Sequence, residues 1–194
     1  LLPLGEYQKE KVRERAFELG LRVHDKPESQ EVCFIHDASY HSFLQERLRE
    51  SIEPGPTIDR QGNVLGTHKG IAFYTVGQRR GLRLAKGRPL YVIGIDRARN
   101  ALIVGEEKEV YAHTFTIDSV SWINPREMSS SFHAQVKIRY NHPGSEATVT
   151  PKGEEEMEVR FNIPQKAITP GQAAVIYEGD RVLGGGWIRE VIKS

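Results

Sequence analysis

The sequence holds a single cysteine, Cys33, so no disulfide can close within the chain and a disulfide-stapled secreted scaffold is excluded. It has no apolar run approaching the ~18 residues that a membrane helix needs, and no signal-peptide pattern. The expected setting is therefore the reducing cytoplasm, with no membrane partner. Three motifs are also missing: Gly-x4-Gly-Lys, Gly-x-Gly-x-x-Gly after a strand, and Gly-x-Ser-x-Gly. Their absence removes phosphate-loop, dinucleotide and serine-hydrolase chemistry. The seven histidines are scattered without a His-x3-His or Cys-x-x-Cys pair, and His36 and His41 are off helical register for a shared ion. No metal is expected, and the histidines read as polar surface residues. An initiator methionine is lacking too. The chain opens on Leu1-Leu2-Pro3-Leu4-Gly5 directly before a helical pattern, and reads as a fragment, so any targeting sequence or upstream domain would lie outside it.

The most local absence is of negative charge. Between Asp59 and Asp96 no acidic residue occurs, while Arg60, Lys69, Arg79, Arg80, Arg83, Lys86 and Arg88 all fall in that window. Phe73, Tyr74, Gly77, Gln78, Gly81 and Gly87 are interleaved with them. A solvated face accounts for such a run; basic residues mixed with aromatics and glycines also suit a polyanion contact.

What is present fills one large or two small domains: 194 residues, 38% hydrophobic and 27% charged. Val12, Ala16 and Leu19 recur at helical spacing, with Gly20 as a C-terminal cap, and residues 21–23 read as a short strand. This helix–strand pair resembles the last unit of an α/β domain. A second helix is expected from Asp37, with Tyr40, Phe43, Leu44 and Leu48 as its stripe, stopped by Pro54-Gly55-Pro56. Strands follow at 71–76, 90–95 and 101–104, then at 114–120, 132–140, 146–150, 157–163, 173–178 and 182–188. The fold class is mainly β with a short α/β remnant at the N-terminus, a small middle domain and an antiparallel β-barrel. The boundaries fall at 1–30, 31–107 and 108–194.

Two readings of Cys33 stand side by side. A free cysteine packs as a small buried hydrophobe. Yet Cys33 follows the turn-prone Asp25-Lys26-Pro27-Glu28-Ser29-Gln30 and opens an apolar run, where a loop enters a strand and reactive groups are often placed. Glycine-rich blocks accompany it. They are 66–82, containing His68-Lys69-Gly70 and Gly77-Gln78-Arg79-Arg80-Gly81; Pro170-Gly171-Gln172; and Leu183-Gly184-Gly185-Gly186-Trp187. Each suits a tight turn or a barrel corner.

Together with Ser29-Gln30-Glu31-Val32-Cys33-Phe34-Ile35, these blocks occur in an order that resembles the tRNA-specific 2-thiouridylase family from Pro3-Leu4-Gly5 to Gly184-Gly185-Gly186. One departure is Glu28-Ser29, where many members have Asp-Ser; the charge is retained. The resemblance implies an upstream ATP pyrophosphatase domain, a small middle domain and a C-terminal barrel. ATP is then bound outside this chain, which is not expected to be active alone. The implied reaction is 2-thiouridine synthesis at the tRNA wobble position: ATP adenylates the uracil C2 oxygen, sulfur attacks C2, and AMP leaves.

In that family the cysteine matching Cys33 carries the sulfur as a persulfide, received from a sulfur-relay protein or cysteine desulfurase. An upstream cysteine frees the sulfur or closes a disulfide with it. A thiol of unperturbed pKa ~8.5 is only slightly ionised at neutral pH, and Glu28, Glu31 and Asp37 oppose ionisation. Arg79, Arg80, the upstream domain or bound tRNA is expected to compensate, unless the more acidic persulfide needs no help. Arg139-Tyr140 and Gln172 match the family's tRNA contacts, with Arg79 and Arg80 added on charge. The enzyme is expected to be a monomer. The alternative is a non-catalytic RNA-binding barrel with a structural cysteine. A methyltransferase, a label the family has also received, lacks a Gly-rich loop for a methyl-donor cofactor.

Overall fold

The computed structural model describes residues 3–26, 52–84, 87–123, 130–153 and 155–192. Cys33, Lys86 and the helix expected from Asp37 lie outside them. The chain forms two compact units, Leu1–Arg47 and Leu48–Ser194.

In the first unit, α1 (Lys9–Glu18) half-buries Val12 and Ala16 on one face and carries an Arg15–Glu18 pair at 2.7 Å on its exposed side. Gly20 ends it with φ +66°, the left-handed conformation that glycine supplies at a helix terminus. Residues 21–23 are turns, not the expected strand. The His24 amide donates to the Leu21 carbonyl and the Lys26 amide to Val23, and Leu21 and Val23 are exposed. A strand needs a pairing partner, and none pairs with this segment among the described residues.

The second unit begins with a four-stranded sheet in the order β2-β1-β4-β3, built from β1 (Gly55–Ile58), β2 (Val64–His68), β3 (Tyr91–Asp96) and β4 (Ala101–Gly105). The β1–β2 hairpin was not expected from the sequence. Its turn is built by the Asp59 carboxylate, which accepts the Gln61 and Asn63 amides at 3.0 and 2.9 Å. Gly55 sits where a Cβ would fall 2.1 Å from the Asn100 carbonyl oxygen, so its lack of a side chain lets β1 approach the β3–β4 turn. Residues 71–76 also differ from the expected strand. Ile71–Phe73 is a 3-10 turn, because Gly70, at φ +134°, redirects the chain and donates its amide to His68 Nδ1 at 3.0 Å. His68 is buried, and its Nε2–H donates to the Asn100 carbonyl at 2.8 Å. It is a structural clasp between β2 and the β3–β4 turn, not a surface residue.

Six strands then close an antiparallel barrel in the order β10-β5-β8-β7-β6-β9. They are β5 (Tyr111–Trp122), β6 (Phe132–Lys137), β7 (Ser145–Pro151), β8 (Met157–Lys166), β9 (Ala173–Glu178) and β10 (Arg181–Ile192). Alternation fills the interior: Phe115 and Ile117, Val136 and Ile138, Ala147 and Val149, Val159 and Phe161 point inward. The Gly184-Gly185-Gly186 run is explained at the seam. A Cβ on these residues would fall 2.4–2.5 Å from the carbonyls of Ser121, Ala174 and Asp118, so small residues let β10 lie against both β5 and β9. No described helix is long and apolar enough to cross a membrane.

Candidate nucleic-acid interface

The first component is the turn that follows β6. Buried Ile138 anchors the strand end, after which Arg139 and Tyr140 emerge, and the His142 amide donates to the Arg139 carbonyl at 3.0 Å. Tyr140 is 99% exposed, an aromatic ring with nothing packed on it. Beneath the turn His142 is only 4% exposed. Its Nδ1 accepts the Gly144 amide at 3.2 Å, so Nε2 carries the proton and donates to Gln165 Oε1 at 3.0 Å. Gln165 is oriented by donating its own amide to the Ile163 carbonyl at 2.8 Å. Burial pushes the His142 pKa down; the Gln165 bond opposes this, and the charges of Arg139 and Lys137 add to the depression. The imidazole is a neutral strut, which again departs from a surface histidine.

The second component is the end of β8. The Arg139 guanidinium donates through Nη1 to the Lys166 carbonyl at 2.9 Å. The Lys166 ammonium pairs with Glu107 and stands 5.2 and 5.8 Å from the ring centroids of Tyr91 and Tyr111. The pair raises the Lys166 pKa, chiefly through the Glu107 hydrogen bond. It holds Glu107 below the usual carboxylate range through the hydrogen bond and charge of Lys166, then through the Tyr91 hydroxyl and the positive charge of Arg79. Arg139 thus joins a cluster centred on Lys166, and the positive charge of Arg79 is felt at its Glu107. The sequence reading did not single out Lys166, Gln165 or His142. The expected strands 132–140 and 146–150 left room for the turn, but nothing local signalled that β8 ends beneath it.

The acid-free window is only partly a basic surface. Arg60 pairs with Glu109 at 3.4 Å, and Arg88 pairs with Glu106, which also holds Lys108 at 3.2 Å. These carboxylates lie just beyond the window in sequence and line one cavity with its arginines. Lys69, Arg79, Arg80 and Arg83 remain exposed, with no ion pair among the described residues. Gln78 shapes their segment: its side-chain oxygen accepts the Thr75 amide at 3.1 Å, and its nitrogen donates to the Arg80 carbonyl at 3.0 Å.

Gln172 lies on the β8–β9 connection, half-buried, its carbonyl accepting the Ile188 amide at 2.8 Å. No hydrogen bond joins its side chain to the Lys166 cluster among the described residues. Taken together, the described surface offers unpaired guanidinium groups, a bare tyrosine and a rigid support, which is the chemistry that holds phosphates and stacks bases. No three His, Cys, Asp or Glu side chains converge as a metal site among the described residues.

Three stretches of the chain match known domain families. Residues 1–37 match a tRNA methyl transferase HUP domain, 41–106 a tRNA methyl transferase PRC-barrel domain, and 112–188 an aminomethyltransferase beta-barrel domain. The chain is 46% identical over 190 residues to a tRNA-specific 2-thiouridylase MnmA of Halothermothrix orenii, covering 98% of this chain and 53% of that protein. It is 48% identical over 188 residues to one of Natranaerobius thermophilus, covering 97% of this chain and 51% of the relative. With one of Desulforamulus reducens it shares 47% identity over 194 residues, covering 100% and 53%. The chain spans about half the length of the curated relatives it matches.

Proposed function

The chain belongs to the tRNA-specific 2-thiouridylase family, and from that membership we propose that it supplies the sulfur-carrying cysteine and the tRNA-holding surfaces of an enzyme that makes 2-thiouridine at the wobble position. Residues 1–30 are assigned to an α/β domain shared with the rest of the polypeptide, 31–107 to the middle domain carrying Cys33, and 108–194 to the tRNA-binding barrel. The setting is cytoplasmic and the enzyme a monomer. The observation that carries the reading is the 46–48% identity, over nearly the whole of this chain, to proteins named tRNA-specific 2-thiouridylase. The bare Tyr140 after Arg139 and the exposed Arg79 and Arg80 support it.

ATP is a substrate of the reaction, leaving its adenylyl group on the C2 oxygen and releasing pyrophosphate. The N-terminal end of α1 does not suit its phosphates: it follows Gln8, with no side-chain cap, and carries Glu10 in its first turn. No contact to ATP is assigned to this chain. Cys33 holds the incoming sulfur as a persulfide from a desulfurase or relay protein. The terminal sulfur bonds to C2, AMP leaves with the oxygen, and a second thiol takes the Cys33 sulfur into a disulfide. Arg139, Arg79 and Arg80 hold phosphates, Tyr140 stacks on an unstacked base, and Gln172 donates or accepts at a base edge. Methyl transfer is not proposed, since the sequence has no Gly-rich loop for its donor.

A persulfide-trapping experiment tests this role. After incubation of the complete polypeptide with cysteine and a desulfurase, mass spectrometry of the Cys33 peptide is expected to show one added sulfur atom. An unmodified Cys33 under conditions that yield 2-thiouridine overturns the sulfur role and leaves the RNA-binding barrel as the better reading.

A further inference from the structure

Resting on the RNA-binding reading above, we infer that Gln165, Lys166 and Ala167, at the end of β8, position the Arg139-Tyr140 turn and the Gly77-Gln78-Arg79-Arg80 segment as one rigid RNA-facing surface. These three consecutive residues together bind the Arg139–Gly144 turn and the 3-10 turn Glu107–Val110. Gln165 holds His142, the strut under the Tyr140 turn, at 3.0 Å. The Lys166 carbonyl takes the Arg139 guanidinium at 2.9 Å, while its ammonium grips Glu107 in the 3-10 turn Glu107–Val110. The Ala167 amide donates to the Val110 carbonyl at 2.9 Å.

Ala167 also reaches the other segment. Its methyl occupies the space beside Gly77, where a Cβ would fall 2.7 Å away, and Gly77 at φ +88° donates its amide to Val92 of β3 at 2.8 Å. Ala167 itself adopts φ +57°, a conformation that L residues keep only when their surroundings over-determine it. The Lys166 charge is spent on Glu107 and lies near two tyrosine rings. Its role is therefore to clamp the cluster, while Arg79 and Arg139 face the ligand. Two contact segments fixed in one frame bind without the ordering cost of two loose ones. Loosening the junction weakens binding although no RNA contact is removed.

The test uses the complete polypeptide and a tRNA transcript, with Kd measured for wild type, Gln165→Ala, Arg139→Ala, Tyr140→Ala and the Gln165→Ala/Tyr140→Ala double variant. One lost positioning hydrogen bond is expected to weaken binding by about fivefold. In the Tyr140→Ala background Gln165→Ala is expected to cost clearly less than in wild type, because the ring it helps to position is gone. As a second variant, His142→Leu with Gln165→Leu replaces the His142–Gln165 hydrogen bond by an apolar contact, at the cost of the Gly144 amide's bond to His142 Nδ1; with the thermal midpoint measured alongside, it is expected to stay folded at the assay temperature and show the same loss of affinity. Unchanged affinity in Gln165→Ala, or an effect that multiplies fully with that of Tyr140→Ala, overturns the positioning role. Wild-type affinity in both Arg139→Ala and Tyr140→Ala instead overturns the RNA-contact reading on which it rests.

Discussion

Replacing Tyr140 by alanine separates binding from folding more cleanly than any other change. The ring is 99% exposed, so its removal takes no packing from the barrel, and an exposed substitution of this kind shifts stability by no more than about 0.5 kcal/mol. The backbone of the turn stays held by the His142 amide on Arg139 and by the buried His142 strut. If the ring stacks on a base, its loss costs about 1–3 kcal/mol of affinity, or roughly 5- to 150-fold in Kd. Tyr140→Phe keeps the π-face and is expected to stay near wild type. The assay is titration of labelled tRNA at fixed salt, with thermal unfolding measured on the same samples. Equal Kd for wild type and Tyr140→Ala refutes stacking. A large fall in thermal midpoint refutes the view that Tyr140 is structurally idle.

Three further outcomes follow from the same geometry. Arg79→Ala is expected to lower the slope of log Kd against log salt by about 1, whereas Arg88→Ala, whose charge is already spent on Glu106, leaves the slope unchanged in the same titrations. Gly185→Ala drives a methyl toward the Ala174 carbonyl at the barrel seam and is expected to cost about 1–3 kcal/mol in urea unfolding, with tRNA contacts untouched. His142 has a folded pKa below its unfolded value of about 6.5, so the unfolded chain binds the proton first. Its contribution to stability is present above that value and lost as pH falls through the folded pKa. Urea unfolding across pH 7.5 to 5, values chosen to span that range at about 6.5, is expected to be flatter in His142→Gln than in wild type.

The barrel was legible because its strands alternate: Ala147 and Val149 inward, Glu146 and Thr148 outward, a period of two that survives without tertiary help. Residues 71–76 have the same β-rich composition but not the same fate. The Gly70 backbone and the buried His68 ring turn that stretch into a 3-10 coil, and neither effect is written in its own side chains. Pro54-Gly55-Pro56 read as a stop signal, although Gly55 also opens a strand that needs its missing Cβ. The candidate surface was half legible. Arg139-Tyr140 stood out by resemblance, while the charge window overstated the basic patch because Glu106 and Glu109, which neutralise Arg88 and Arg60, lie beyond it. Lys166 and His142 were illegible, since their partners come from residues 23 to 59 positions away in the chain.

The most direct test of the account is the 2-thiouridine content of tRNA, read by nucleoside mass spectrometry after incubation with ATP, a persulfide donor and the complete polypeptide, wild type against Cys33→Ser. Affinity for tRNA is measured in parallel. The account predicts that Cys33→Ser binds tRNA as wild type does and makes no 2-thiouridine. Undiminished 2-thiouridine in Cys33→Ser contradicts it.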